Sequence, residues 1–569
     1  MWLLLEFCLT VIALALAYLF PALGGNSFRR LEQLLGTLAR RRGLAVLTVG
    51  LLALATRAAL LLVLPIPQPG IHDEFSYLLA ADTFAHGRLA YPTHPMWIHF
   101  ESFHINQKPT YGSMYYPAQG LVLALGQVLG GHPFVGVWLS VGLMCAAICW
   151  MLQGWLPPEW ALLGGFLAVI RLGTLSYWAN SYWGGAVAAT GGALVLGALP
   201  RIKQHQRVRD ALLIGAGFAI LANSRPYEGL FFSLPVGGAL VVWFLRQKGP
   251  ALQLALRRTA LPLGAVLLVC AGAMLYYFWR TTGNPFRTPY SVNVATYSAV
   301  PPFPWQSLPP LPSYHHPVMA QFYLNWTEVY NFARSHPGAL AAGKFSLLWF
   351  FFLGPILIFP FFLLAIVLPT NTSYKDISSD TRFLLLVCFF LGIGMALPIY
   401  SNPHYAAPLT CVFYALVLIT MRSVRQHAGE RTGAALTRVV PLVCLAMLLI
   451  RIGTPRQFLS APNRALYTWC TPDSEMPERA RVQNYLQNLL GGQLVLVRYQ
   501  PRHDPNREWV YNQGDIDRSK VVWAREMDPA ANKKLMKYFE DRRVWLLVVD
   551  DTSPKLTPYP GVEKLGRPN

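Results

Sequence analysis

The sequence predicts a polytopic all-α membrane protein of about twelve transmembrane helices, with a small C-terminal α/β extracytoplasmic domain. Three observations predict it. Only 13% of residues are charged and 54% are hydrophobic, against about 25% charged in a soluble domain. The apolar residues gather in long runs, giving a mean hydropathy of +0.36. Past residue 453 the runs shorten to strand length and alternate with helical stretches.

The apolar runs lie at approximately 2–23, 43–66, 134–154, 158–176, 184–199, 210–222, 229–245, 259–279, 343–368, 384–400, 405–421 and 439–453. Several are shorter than the ~20 residues a spanning helix needs. The segment 118–131 reads as a half-embedded or interfacial helix. The first run is not read as a secretory signal: it lacks a basic start and a small-residue cleavage site, and Arg29 and Arg30 follow it.

Charge sets the expected orientation. Loops 28–42, 200–209, 246–258, 369–383 and 422–438 carry 19 Lys and Arg in 70 residues, and loops 67–133, 177–183, 223–228, 280–342 and 401–404 carry 6 in 147. The positive-inside rule makes the first set cytoplasmic and places both termini outside. The formal charge of +20 is thus a topology signal, and no nucleic-acid-binding motif accompanies it. The expected location is a bacterial inner membrane, multi-pass, with the active site and tail on the periplasmic side. The polar and aromatic clusters, among them His72-Asp73-Glu74, Tyr177 to Gly185, Asn223 to Gly229, His315-His316 and Ser401 to Tyr405, all fall on that outer face.

Two domains follow: a transmembrane domain, 1–453, with large outer loops 67–133 and 280–342, and a periplasmic α/β tail, 454–569. In the tail, Leu494 to Tyr499, Val521 to Ala524 and Val544 to Val549 are β-prone, and Arg479 to Leu490 and Ala530 to Phe539 read as helices. Asp515 and Asp517 in YNQGDIDRS read as an acidic turn rather than a cation site. The loop 280–342 is rich in proline (Pro301, Pro302, Pro304, Pro309, Pro310, Pro312) and is expected to pack over a cavity. Of the eight cysteines only Cys470 lies outside an apolar run, so neither a disulfide framework nor a structural zinc site is predicted.

Candidate site residues lie on the outer face. Asp73 and Glu74 open a helix directly after a membrane run. A carboxylate there can act as a general base on an acceptor hydroxyl, or the two acids can simply cap the helix. Lys108 beside Pro109 can bind phosphate, or be a solvated lysine in a turn. Arg225 in NSRPYEG has the fork geometry for a phosphate, or pairs locally with Glu228. His72 and Tyr77, flanking the acids, and His404 and Tyr405 in SNPHYAAP are placed with the substrate-binding set, His404 as a neutral hydrogen-bonding group. Arg57 and Arg171 sit within apolar runs at a cost of roughly 2.5–3.5 kcal/mol each, so they are functional or snorkel outward. His94, His99 and His104 are five residues apart and admit a divalent metal, but that spacing does not put three imidazoles on one helix face; no metal ligand is assigned.

HDEFSY directly after a membrane helix, the QKP step followed by YYPAQGLVLALG, and the many-helix frame together resemble the GT-C membrane glycosyltransferases, of the protein O-mannosyltransferase-like and aminoarabinose-transferase-like branch. The resemblance covers roughly 43–420 in layout and the first outer loop in motif. It implies a catalytic acid at Asp73 with Glu74 beside it, and Lys108 assisting donor phosphate binding. SYWGG, NSRPYEG and NPHY have no role to transfer. The implied activity is transfer of a sugar from a polyprenyl-phosphate donor, with inversion, to a lipid, polysaccharide or protein acceptor, with no obligatory cofactor. Rival readings are a transporter of a polar or lipid-linked substrate and a non-catalytic envelope assembly protein. Few polar clusters sit at mid-membrane, and no internal repeat is visible, as a transporter would favour.

Overall fold

The computed structural model describes residues 2–368, 376–454, 468–470, 477–501, 503–549 and 554–560. Residues 369–375 of a predicted cytoplasmic loop, and 455–467, 471–476 and 561–569 of the predicted tail, lie outside the described residues.

The chain opens with α1 (Trp2–Leu19), an amphipathic α2 (Gly25–Arg40) and α3 (Arg42–Ala59). Loop 67–133, the first of the two predicted large outer loops, contributes α4 (His72–Ala85), three short antiparallel strands β1 (Tyr91–Pro92), β2 (Ile105–Asn106) and β3 (Thr110–Ser113) in the order β1-β3-β2, and α5 (Pro117–Gly130). The bundle continues through α6 (Pro133–Leu152), α7 (Pro158–Arg171), α8 (Ala186–His205), α9 (Val208–Ser224), α10 (Pro226–Leu245), α11 (Gly249–Ala255) and α12 (Leu261–Thr282). The second large loop folds as α13 (Pro289–Tyr297), α14 (Pro317–Leu324) and α15 (Trp326–Ser335). Then come α16 (Pro337–Leu348), α17 (Gly354–Val367), α18 (Ser379–Ala396), α19 (Thr410–His427) and α20 (Glu430–Gly453).

Nine helical stretches among the described residues are long and apolar enough to cross a membrane. The expectation of about twelve therefore exceeds what length and composition support. The three in excess are α7, α8 and α9. α7 has 14 residues and α9 has 17. α8 is long enough but rich in Gly and Ala, and it is buried along nearly its whole length against α6 and α9. A helix facing other helices needs small residues for close approach, which lowers its apolarity. The crossing of α5 and α6 shows the same demand: a Cβ on Gly126 would lie 2.0 Å from the Gly136 nitrogen.

The tail forms the predicted α/β layer. Helices α21 (Pro477–Gln487) and α22 (Pro529–Tyr538) accompany strands β4 (Gln493–Tyr499), β5 (Val521–Arg525) and β6 (Arg543–Val549), to which a short β7 (Lys555–Pro558) is added. The order is β5-β4-β6-β7, parallel except for β7. Its core is shared with the first outer loop: Phe75 stacks on Tyr511 at 4.1 Å, and Arg479 lies between the rings of Phe75 and Trp523. A buried Arg525–Glu508 pair at 2.7 Å extends this join, with Arg525 Nε donating to the Glu101 carbonyl.

Of the two arginines in apolar runs, Arg57 reaches the Tyr177 to Gly185 segment, donating from Nε to the Ala179 carbonyl at 3.5 Å, and Arg171 is held elsewhere. Arg57 closes the end of α3 by donating to the carbonyls of Leu64 and Pro65. Arg171 is buried against Glu6 of α1 at 3.1 Å, and the other Glu6 oxygen accepts from Trp469 Nε1 at 2.9 Å. Removing one member of such a pair strands the other, at a cost of about 3–5 kcal/mol. Glu6→Ala is expected to lower the unfolding temperature of the detergent-purified protein by several degrees, and Glu6→Ala/Arg171→Leu to restore most of it; equal melting of wild type and Glu6→Ala would show that the pair contributes nothing.

His316, at the start of α14, is buried and donates from Nε2 to the Ile98 carbonyl at 2.7 Å. Burial, aided by Arg525, pushes its pKa down to about 3; the Glu101 carboxylate 3.6 Å away is already held by His315 at 2.8 Å. A base with a lowered folded pKa contributes stability that is complete above its ordinary value of about 6.5 and fades as pH falls toward 3. The drop in melting temperature between pH 7.5 and pH 5 is expected to be smaller in His316→Gln than in wild type.

Candidate functional site

Helix α4 is held in place by its third residue. Glu74 is 1% exposed. Its Oε2 accepts from the backbone nitrogens of Gly70 (2.7 Å) and Ile71 (3.2 Å), the reach-back of a capping box, and its Oε1 accepts from Tyr182 N at 2.9 Å. Tyr182 is fixed in turn: its hydroxyl donates to the Pro67 carbonyl and its own carbonyl accepts from Gln119 Nε2. The SYWGG segment thereby docks on the first loop. Gly185 lets the segment fold closely on itself and on residues 403–409, because a Cβ there would lie 2.5 Å from the Trp178 ring and 2.8 Å from Ala407 Cβ.

Asp73 points elsewhere. Its Oδ2 lies 3.3 Å from His72 Nε2 and its Oδ1 3.4 Å from His104 Nδ1, and the Tyr115 hydroxyl donates to Oδ1. Tyr115 also lies 2.8 Å from His104 Nδ1. Burial alone would raise the Asp73 pKa, but His72, His104 and the Tyr115 hydroxyl outweigh it and hold the carboxyl below the usual carboxylate range. Burial and the adjacent Asp73 charge push the Tyr115 phenol well up, so it remains a donor. His104 has a left-handed backbone, φ 59°, and its carbonyl accepts from Ser76 Oγ at 2.7 Å. Strain of this kind at a non-glycine residue survives where neighbours over-determine it. Phe322 of α14 closes over His72 at 5.0 Å, so the proline-rich loop covers the outer edge of the cluster.

A cationic half faces this anionic one. Tyr77, one turn past Asp73, stacks on Tyr115 with centroids 4.4 Å apart. Both Asp73 and Arg225 act on Tyr77 electrostatically. Arg225 occupies the break between α9 and α10 and stands 4.2 Å over the ring of Tyr405. Among the described residues Arg225 forms no ion pair within 4.0 Å, Glu228 included. His404 is buried; its Nδ1 accepts from the Tyr177 hydroxyl at 2.9 Å, and its ring meets Trp183 and Tyr405 edge-on. Tyr77, Tyr116, Gln119, Ser224, Arg225 and His404 line a cavity of about 10 Å³, room on the order of one water molecule.

The structure therefore brings together His72, Asp73, Tyr77, Arg225, His404 and Tyr405, and sets two candidates apart. Glu74 is spent on backbone nitrogens. Lys108 is exposed, with its ammonium 4.2 Å over the Trp97 ring. His94 and His99 join the tail instead, at Asp517 Oδ1 (3.0 Å) and the Arg525 carbonyl (2.9 Å). Asp517 also accepts from Tyr538, and Asp515 from the Arg518 backbone, as an acidic turn would. The donor atoms of His72, Asp73 and His104 all lie within 4.8 Å of one another, two imidazoles and a carboxylate being a fitting set for a divalent transition metal. Sequence reasoning did not pair His104 or Tyr115 with Asp73. Their meeting depends on the β2–β3 hairpin (Ile105–Ser113 register), which short polar strands do not announce.

No family model and no curated protein matches the sequence. Among solved structures, the oligosaccharyltransferase of Archaeoglobus fulgidus, in complex with Zn and sulfate, aligns over 89% of this chain and 67% of its own, at a TM-score of 0.50 and 11% identity. The same organism's oligosaccharyltransferase AglB with an inhibitory peptide and a dolichol-phosphate aligns over 89% and 69%, at 0.48 and 10%. ArnT from Cupriavidus metallidurans in the apo state aligns over 89% and 91%, at 0.45 and 13%. Over most of its length the chain is thus similar in fold to the GT-C membrane glycosyltransferases.

Proposed function

We propose that the protein is an integral-membrane glycosyltransferase that moves a sugar from a polyprenyl-phosphate donor to an acceptor nucleophile on the periplasmic face of a bacterial inner membrane. The observation that carries this reading is a carboxylate held ionised beside the stacked rings of Tyr115 and Tyr77, with Arg225, which forms no ion pair among the described residues, lining a small cavity together with Tyr77. The GT-C-like fold supports the reaction class. The distribution of basic loops supports the orientation. In this reading the bundle crosses about twelve times, with α7, α8 and α9 spanning inside the protein rather than against lipid.

The chemistry is a single displacement. Asp73 accepts a hydrogen bond from the acceptor and orients it for attack on the anomeric carbon; the bond from that carbon to the phosphate oxygen breaks, with inversion. His72 and His104 lower the basicity of Asp73, so its work is orientation and charge stabilisation, and the acceptor proton ends on the released phosphate, the stronger base. Arg225 meets the phosphate on which charge develops, and the neutral rings of Tyr405 and Tyr77 leave its charge available. His404 holds Tyr405 and Tyr177 in place, Glu74 acts by positioning α4, and Lys108 lies at the exposed rim where a donor headgroup would enter. A metal, if the enzyme uses one, would be held by His72, Asp73 and His104.

Asp73→Asn is expected to lower the turnover of radiolabelled polyprenyl-phosphate sugar in nanodiscs by about 10²–10⁴-fold while the melting temperature holds. Retained turnover in the folded variant would remove Asp73 from catalysis. Arg225→Gln is expected to cost about 10²–10³-fold in kcat. Glu74→Gln presents an NH₂ to backbone donors, so it is expected to destabilise the protein by about 1–3 kcal/mol and reduce activity through the fold. A Glu74→Gln protein of unchanged stability and no activity would instead make Glu74 catalytic.

A further inference from the structure

A second cavity, of about 590 Å³, lies between the tail and loop 67–133, a size that suits a small-molecule site. One wall is apolar and comes from α4 and the start of α6, through Phe75, Leu78, Leu79 and Pro133. The polar wall comes from α21, whose Arg479, Gln483 and Gln487 recur at four-residue spacing and so share one helix face. Phe75, Leu79 and Asp82 stand about 180–240° around α4 from Asp73, so the cleft and the Asp73 cluster lie on opposite sides of one helix.

The cations of this cleft are unspent and its acid is not. Arg479 lies between the rings of Phe75 and Trp523, at 4.6 and 5.0 Å, and donates from Nε and Nη2 to the carbonyls of Trp509 and Tyr511. Among the described residues it forms no ion pair, and its Nη1 makes no hydrogen bond. Glu508 acts on it from a distance but is held by Arg525 at 2.7 Å, and burial pushes the Arg479 pKa down to about 10. Lys520 is exposed and forms no ion pair among the described residues. Asp82, the one acid among the described residues of the lining, accepts from the Gly514 nitrogen at 2.8 Å and lies 3.4 Å from His86. Two cations against one committed acid leave the lining positive.

Amides complete the recognition surface. The side chains of Gln127 and Gln487 make no hydrogen bond among the described residues, and Gln483 spends only its oxygen, on Trp523 Nε1 at 2.7 Å. A primary amide donates and accepts at once, as a sugar hydroxyl does. An apolar wall with an amide wall matches a pyranose ring, which has an apolar C–H face and a rim of hydroxyls. A small inorganic anion would leave the apolar wall bare, and a neutral sugar would leave two cations unanswered. We propose that this cleft binds an acidic saccharide, its carboxylate or phosphate on Arg479 and Lys520, its hydroxyls on the glutamine amides and its C–H face on α4. The inference goes beyond the transfer reading and does not rest on it.

The test titrates full-length protein in nanodiscs with glucuronate, glucose 6-phosphate and glucose, and reads binding by saturation-transfer difference NMR. At least one acid is expected to bind about tenfold more tightly than glucose, and the tighter of the two identifies the anionic group. High salt is expected to shrink that advantage. Lys520→Gln and Gln487→Glu, both at exposed positions, are each expected to weaken the acid about threefold. Arg479→Gln is expected to abolish the preference; the two exposed variants decide the matter if this one loosens the fold. Arg225→Gln is expected to leave acid binding unchanged, and loss there would move the anion to the transfer site and overturn the assignment. Equal affinity for acids and glucose in wild type would overturn the anionic ligand, and no saturation transfer to any of the three would overturn the site. A preference surviving in both Lys520→Gln and Gln487→Glu would overturn the role of this cleft. No donor lipid is present, so none of these outcomes bears on the transfer reaction.

Discussion

A carboxylate shut away from water is an expensive object, and Glu74 is one, met by three backbone nitrogens. Three N–H groups from two distant parts of the chain converge on it. Each of those donors would be an orphan without it, and it would be an unpaired buried charge without them, so neither side can move alone. The first outer loop and the SYWGG segment become a single unit at this point. The candidate site is referenced to that unit: α4 starts where Glu74 fixes it, Asp73 faces the histidines because Glu74 faces the backbone, and Tyr182 brings α5 along through Gln119.

The separation of the two adjacent acids follows from helix geometry. Neighbouring residues on a helix point about 100° apart, so one side chain can fold back over the N-terminus while the other projects outward. Glu has the extra methylene needed to reach the N-cap nitrogen; Asp does not and must find its partners in space. Those partners come from a hairpin that carries His104 and a helix start that carries Tyr115. The tail sets the position of the hairpin from outside, through the stacking of Phe75 on Tyr511 and the Arg525–Glu101 contact, without placing any described side chain against Asp73.

How much of this was legible in the sequence depended on the range of each interaction. Runs of apolar residues announce helices locally, and all twelve predicted runs are helical. Composition overstated how many resemble lipid-facing spans, because α8 is interior and its Gly and Ala serve packing. Strands β4, β5 and β6 were visible as β-prone runs; β7, KLTP at the sheet edge, has neither the length nor the pattern. Arg171 was misread because its counter-ion, Glu6, is 165 residues away. Asp73 and Glu74 stood out as acids at a membrane boundary, but sequence adjacency hid their different work. Lys108 stood out as a cation beside a proline, with a phosphate role that the family resemblance reinforced, and in the fold it rests on Trp97 at the surface.

Arg225 shows why a site of this kind must be built rather than merely populated. Had Glu228 closed on it, the pair would have been locally satisfied and of little use to an incoming anion. Instead the guanidinium rests on the face of Tyr405, an interaction worth about 0.5–2 kcal/mol that leaves the full positive charge in place. Asp73 is treated in the mirror sense, surrounded by groups that stabilise its charge without neutralising it in a lone ion pair. The stacked tyrosines are common to both charges: the Tyr115 hydroxyl donates to Asp73, and Tyr77 feels Asp73 and Arg225 together. The cost of holding both charges unpaired is met by the surrounding fold before any ligand arrives, so in the proposed reaction the acceptor's nucleophile and the donor's phosphate would each meet a charge already aimed.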